Sequence, residues 1–204
     1  MKNQNITIHI IDDDPSMLKY LSELVETINY KSKTYGNANE FLGAYSDEGL
    51  GCLILDLRLP GISGLELQQQ LAGKNIDLPV IMISGFGDVS TAVKAMKAGV
   101  LDFLEKPFRS QDLLDLIHNA VSKHKIDRKK NTTYNEAVTR IKSLTQREKE
   151  VMEHVVAGTL NKDIAIKLEI SIKTVEVHRA NVMEKMAVSS VADLVRASLD
   201  GNDS

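Results

Sequence analysis

Four aspartates, a serine and a lysine follow short apolar runs, and their types suit chemistry on a phosphate. Ile8-His9-Ile10-Ile11 leads into Asp12-Asp13-Asp14, and Leu53-Ile54-Leu55 into Asp56. Val80-Ile81-Met82-Ile83 leads into Ser84, and Leu101-Asp102-Phe103-Leu104 into Glu105-Lys106-Pro107. Carboxylates brought close together raise one another's pKa or demand a cation. Mg²⁺ takes one or two carboxylates together with waters and phosphate oxygens. A carboxylate can also accept a phosphoryl group and become an aspartyl phosphate. Ser84 can donate to a phosphoryl oxygen, and Lys106 can neutralise another. Each residue alone has a plainer role: a helix-capping run at Asp12–Asp14, a turn at Asp56, a cap at Ser84, a surface cation at Lys106. That all of them occupy equivalent strand ends weighs against the plainer roles.

The elements that must position these groups alternate five times. Strands read near 6–11, 31–35, 51–55, 80–84 and 101–104, and helices near 15–28, 38–45, 64–72, 88–98 and 110–124. Short apolar runs bounded by turn residues read as buried strands of a parallel sheet. Five βα units imply such a sheet with helices on both faces. Chemistry in open α/β sheets gathers beyond the carboxyl ends of the strands, which brings these acids, the hydroxyl and the lysine to one rim. Pro15 suits the first turn of a helix. Residues 124–142 are polar and basic and read as an extended helix end plus linker.

From Leu144 onward only helix signals remain. Thr145-Gln-Arg-Glu148 is a capping box that opens a helix burying Val151, Met152, Val155 and Val156, with Gly158 at its C-terminal cap. Asn161 is expected to cap a second helix carrying Ile164, Ala165 and Leu168. After a Glu169-Ile170 turn, Ser171 caps a third helix to about Met186, and a fourth runs from Ser190 to Leu199. Two short helices joined by a tight turn in a four-helix unit is a helix-turn-helix plan. In the third helix Val175, Val182 and Met186 share one face and belong to a core. Lys173, Thr174 and His178, together with Lys162, then suit phosphate contacts, and Ser171 at the cap is a further candidate for the DNA-binding surface. Glu176 suits a cytosine amino group, Val177 and Ala180 a thymine methyl, and Asn181 stands on the same outward side. His178 suits packing between helices equally well.

The chain has 204 residues, a net charge of -3, and ordinary hydrophobic and charged fractions of 43% and 26%. Apolar stretches fall far short of the ~18 residues a membrane span needs. No signal peptide is visible, and the lone Cys52 fits a reducing cytosol, so a cytoplasmic location without membrane contact is expected. Charge divides unevenly. Residues 1–122 hold 10 Lys and Arg against 16 Asp and Glu, net -6, and residues 123–204 hold 15 against 12, net +3. The run Lys123, Lys125, Arg128, Lys129 and Lys130 supplies the excess. Without it residues 131–204 carry -1, so non-specific DNA affinity of a monomer should be modest. Dimerisation would double the contacts.

At this point the residues resemble a known family. Asp12-Asp13, Leu-Asp56-Leu-Arg-Leu-Pro-Gly-Ile-Ser-Gly, Ser84-Gly and Lys106-Pro107 look like a two-component receiver domain over roughly the first 120 residues. The resemblance implies a flavodoxin-like, doubly wound, five-stranded parallel sheet. It implies that Asp56 takes a phosphoryl group from a sensor histidine kinase. It also implies Mg²⁺ held by Asp13, Asp56 and the Arg58 carbonyl, with Asp12 acting through water. Ser84 and Phe103 match the hydroxyl and aromatic of an activation switch, Lys106 matches the phosphate-contacting lysine, and the Lys106–Pro107 peptide is cis in that family. Asp14 stands where many members have Glu. Arg58 and Phe86 occupy positions that tune hydrolysis in the family.

Leu144 through Leu194 resembles the LuxR-type helix-turn-helix of FixJ/NarL regulators, above all those of FixJ type. Asn161-Lys-Asp-Ile-Ala165 and Thr174-Val-Glu-Val-His-Arg-Ala-Asn-Val-Met183 carry the likeness. The implied organisation is a receiver at 1–123, a helical basic linker at 124–142, and a smaller all-α, four-helix DNA-binding domain at 143–204. The implied protein is no enzyme but a transcription factor that dimerises on activation, binds double-stranded promoter DNA, and counts RNA polymerase among its partners. Two rivals remain: a haloacid-dehalogenase-type phosphohydrolase, and a receiver whose tail binds protein or RNA. Asp12-x-Asp14 imitates the first, but Ser16 replaces its usual Thr and no late acidic pair follows.

Overall fold

The computed structural model describes residues 6–47, 49–85 and 89–200. The chain divides into two compact units, Met1–Asp127 and Arg128–Ser204. In the first, β1 (Ile6–Ile11), β2 (Lys31–Tyr35), β3 (Leu50–Asp56), β4 (Val80–Ser84) and β5 (Asp102–Glu105) form one parallel sheet in the order β2-β1-β3-β4-β5. The strands alternate with α1 (Pro15–Thr27), α2 (Ala38–Ala44), α3 (Gly64–Gly73) and α4 (Val89–Lys97), and α5 (Ser110–Ser143) follows β5. This is the flavodoxin-like order, whose switch point lies between β1 and β3.

Side chains alternate across the sheet, as a strand requires. Ile8, Ile10, Cys52, Ile54, Ile81 and Ile83 pack with Leu21 and Val25 of α1 and with Leu113 and Ile117 of α5. Ile11, Leu53, Leu55, Val80 and Met82 pack on the other face with Phe41, Leu67, Leu71 and Ala95. A strand covered on both sides reads as a near-continuous apolar run, as β3 and β4 do, while β1 buries Thr7 and His9 within its run. The edge strands differ. β2 is mostly exposed, and β5 is half-buried rather than buried, because each lacks a neighbour on one side.

Local sequence sets the helix starts. The Asp14 carboxylate accepts from the Ser16 amide ahead of Pro15, and Ser63 with Glu66 closes a capping box on α3. The polar stretch 124–142 is helical throughout as part of α5, and the boundary between units falls within it.

In the second unit, α6 (Gln146–Val156), α7 (Asn161–Leu168), α8 (Ile172–Lys185) and α9 (Val191–Asp200) follow the end of α5. Val151, Met152, Val155, Ile164, Ala165, Val175, Val182, Met186 and Leu194 form the core, while Val156 and Leu168 are half-buried at its margin. The expected cap at Asn161 is not made. Leu160 precedes α7 without a side-chain cap, because the Asn161 amide oxygen instead accepts from Arg179 of α8 at 2.9 Å. Thr145 caps α6, and Ser171 caps α8, as expected. Among the described residues no helix is long and apolar enough to cross a membrane.

Gly51 lets β1 and β3 approach: a Cβ there would overlap the Thr7 carbonyl oxygen. Its backbone also meets buried His124 of α5, whose Nδ1 lies 2.9 Å from the Gly51 oxygen and 3.2 Å from its nitrogen. Gly51→Ala must displace backbone in a packed interior, which costs about 1–3 kcal/mol. Urea unfolding of the full chain should therefore show a lowered midpoint.

Candidate functional site

The sheet brings the predicted rim residues together. Asp12 directly follows β1, Asp56 is the last residue of β3, Ser84 the last of β4, and Lys106 follows β5. Asp12 and Asp56 are nearly sealed from water, at 2% and 6% exposure, and Ser84 at 1%. Lys106 spans the two acids. Its Nζ lies 2.7 Å from Asp12 Oδ2 and 2.8 Å from Asp56 Oδ1. The remaining oxygens accept backbone amides, Asp12 Oδ1 from Asp14 at 2.9 Å and Asp56 Oδ2 from Arg58 at 2.8 Å. The Lys106 amide donates to the Ser84 carbonyl at 2.8 Å, so β4 fixes the backbone that carries the lysine. The Lys106–Pro107 peptide is cis.

The electrostatics are unbalanced. Burial pushes the Asp56 carboxyl above its usual range, against the hydrogen bonds and charge of Lys106, and the Asp12 carboxylate adds to the rise. Burial alone would lower the Lys106 pKa, but its hydrogen bonds to Asp12 and Asp56 prevail and raise it. One ammonium thus serves two buried carboxylates, and a further cation would relieve the excess. The donors are all hard oxygens, the type Mg²⁺ prefers. The fit is partial in the observed arrangement. Asp13 is exposed, and among the described residues no three acidic, histidine or cysteine side chains already surround one metal position.

Phe103 is half-buried against the cluster beneath α3 and α4. Arg58 is exposed, whereas Phe86 lies outside the described residues. Gly64 is a positioning residue whose part the motif alone does not reveal. A Cβ there would overlap the Asp56 carbonyl oxygen, and its amide donates to Leu57 at 3.0 Å. Glycine therefore allows the start of α3 to sit against the acid's own backbone.

In the second unit α8 turns one face outward. Lys173, Glu176, Val177 and Ala180 are exposed, as are Lys162 on α7 and Ser171 at the cap. Thr174, His178 and Asn181 are partly covered. The Ser171 and Thr174 hydroxyls pair at 2.7 Å. His178 Nδ1 is buried without a hydrogen-bond partner among the described residues, so that edge of the ring faces protein. Ile172, which pattern reading passed over, is an exposed apolar residue at the start of the same helix.

Two contacts hold α8 in place, and neither is visible as a local pattern. Arg179 reaches Asn161, tying α8 to α7. Buried Glu148 completes the capping box of α6 and also takes Lys185 Nζ at 2.7 Å, tying the far end of α8 to the start of α6. The Lys185 ammonium and the Thr145 amide hold the Glu148 carboxyl down at about 2.

A doubly wound domain with acids and a lysine at its switch-point rim, followed by a helix-turn-helix, defines a receiver joined to a DNA-binding module. Residues 8–118 match the family described as "Response regulator receiver domain", and residues 142–198 that described as "Bacterial regulatory proteins, luxR family". The chain is 44% identical to Response regulator protein TmoT of Ectopseudomonas mendocina over 198 residues, 97% of this chain and 90% of that one. It is 42% identical to Transcriptional regulatory protein FixJ of Rhizobium meliloti (strain 1021), covering 96% of each. Among solved structures, response regulator StyR is similar at a TM-score of 0.87 and 38% identity, covering 96% of this chain and 98% of that one. Full-length FixJ from B. japonicum is similar at 0.61 and 37%, covering 98% of both. The chain belongs to the two-component response regulators with a LuxR-type DNA-binding domain, a family of transcriptional regulators and not of enzymes.

Glu148 makes a pH-dependent clamp on α8. Its folded pKa of about 2 lies below the ordinary 4.5. A depressed carboxyl stabilises the fold above its unfolded value and stops doing so as pH falls through the folded one. Its contribution should be complete above pH 4.5 and fade toward pH 2. Glu148→Gln keeps an acceptor for the Thr145 amide but loses the charge facing Lys185. Thermal unfolding of the full chain should show the variant less stable at neutral pH, with the difference vanishing toward pH 2.

Proposed function

We propose that Asp56 accepts a phosphoryl group from a sensor histidine kinase, and that this promotes homodimerisation and promoter binding through α8. The carrying observation is the Lys106 ammonium bridging buried Asp12 and Asp56 at strand ends. An ionised Asp56 needs no general base to capture a phosphoryl group, so the task is positioning and charge neutralisation. Lys106 Nζ and Ser84 Oγ would take two of the transferred oxygens. Asp12, Asp13, Asp56 and the Arg58 carbonyl would hold Mg²⁺, which when bound neutralises developing phosphoryl charge. Water is the slower nucleophile, so the modified state lasts long enough to signal.

In this reading the Ser84 hydroxyl moves to the phosphoryl oxygen and Phe103 turns inward behind it. The face made by about residues 88–122, of which residue 88 lies outside the described residues, then changes and either dimerises or releases the DNA module. The working division is a receiver at 1–123, a helical basic linker at 124–142, and a DNA-binding domain at 143–204. Lys162, Ser171, Lys173, Thr174 and His178 would take phosphates, and Glu176, Val177, Ala180 and Asn181 base edges. α9 would serve as the DNA module's dimer helix. The protein would act in the cytoplasm, in company with RNA polymerase.

The test compares wild type, treated with acetyl phosphate and Mg²⁺, with Asp56→Asn treated identically. Binding to promoter fragments and sedimentation are measured together. Treated wild type should sediment as a dimer and bind about 5- to 150-fold more tightly, the usual range of allosteric coupling. Equal binding by the two proteins would break the proposed coupling.

A further inference from the structure

We propose that Lys123, Lys125, Lys129 and Lys130 of α5 form a second DNA contact, a phosphate-backbone grip separate from the helix-turn-helix. The inference rests on the DNA-binding reading above. Its starting point is a charge deficit. Residues 131–204, which hold α6 to α9, carry 10 Lys and Arg against 11 Asp and Glu, net -1. Non-specific affinity for duplex DNA comes almost wholly from neutralised phosphates, and a module of net negative charge is poorly equipped for it.

The missing charge stands immediately before that segment. Residues 123–130 carry five cations and a single acid, Asp127, net +4. They belong to one unbroken helix, Ser110–Ser143, so their spacing is regular. Lys123, Lys125, Lys129 and Lys130 are all exposed, and among the described residues none of the four is in an ion pair. Lys125 and Lys129 are four residues apart and share a face, where like charges destabilise a helix. Holding unpaired ammonium groups at this spacing is unfavourable for the helix alone and favourable beside a row of phosphates. The inward side is settled by packing: Ala120, Val121 and His124 are buried, which leaves the lysines on the solvent side.

A duplex suits this surface better than an anionic membrane. A membrane-surface helix needs a broad apolar face beside its cations. Between 123 and 130 the sole exposed large apolar residue is Ile126. Backbone contacts of this kind carry no base information, so they would raise affinity for all sequences equally and leave discrimination to α8.

The experiment is a salt titration of full-length protein on a labelled duplex of arbitrary sequence, read by fluorescence anisotropy. Four proteins are compared: wild type, Lys→Gln at 123, 125, 129 and 130 together, Lys→Arg at the same four, and Lys173→Gln. Gln and Arg match Lys closely in helix propensity, and circular dichroism checks that α5 persists. The slope of log affinity against log salt should shrink in magnitude by about 3.6 in the quadruple Gln variant, roughly 0.9 for each of the four lysines. The quadruple Arg variant should keep the wild-type slope. A slope unchanged in the quadruple Gln variant but reduced in Lys173→Gln would overturn the second contact and leave the DNA-binding reading standing. No salt-sensitive binding by wild type would overturn both.

Discussion

Two buried carboxylates share one ammonium at the rim of the sheet, and the receiver is organised around that imbalance. Asp12 and Asp56 come from strands that are neighbours only because the strand order reverses between them. Lys106 reaches both from the end of the edge strand β5, past β4. Each acid is further pinned by a backbone amide on its own loop. The arrangement holds while the lysine stays, and it leaves negative charge over. A site with surplus charge in a water-poor setting responds strongly to an added cation or a change of charge on one oxygen. That responsiveness is what a switch requires, and burial that raises the Asp56 pKa is part of its cost.

The second unit solves a different problem, which is to present one helix face rigidly. α8 has its inner side in the core through Val175, Val182 and Met186. Polar ties act at both ends, Ser171 capping the start and Lys185 meeting Glu148 near the finish, while Arg179 reaches α7 between them. Lys173, Glu176, Val177 and Ala180 are exposed and stand outside that framework. Base readout depends on such preset geometry, whereas backbone affinity depends mainly on charge. This separation explains how a module that lacks positive charge can still be built to discriminate.

Much of this is readable in the sequence because it is periodic or local. Apolar runs mark β3 and β4, and one broken only by buried Thr7 and His9 marks β1, since both faces of those strands are covered. Capping boxes at Ser63 and Thr145 stand three residues from their glutamates and need no tertiary knowledge. The rim aspartates, Ser84 and Lys106 declare themselves because each stands at a strand's end or within two residues of it. What escaped reading lies across space. Asn161 looks like a cap until Arg179, 18 residues on, takes its oxygen. Lys185 is 37 residues from Glu148, and nothing local joins them. The helical run through 124–142 lacked a core pattern because few of its side chains are buried, so its continuity with residues 110–123 is a matter of backbone rather than patterning. Gly64 sits in a recognisable motif, but only the closeness of the Asp56 carbonyl shows why glycine is required there.

In the proposed reading the rim accepts a phosphoryl group on Asp56. The most direct measurement is the intact mass of the protein after acetyl phosphate and Mg²⁺, with the adduct located by peptide mapping. One labile phosphoryl group is expected on wild type, at Asp56, and none on Asp56→Asn. No adduct on wild type, or an equal adduct on the variant, would contradict it.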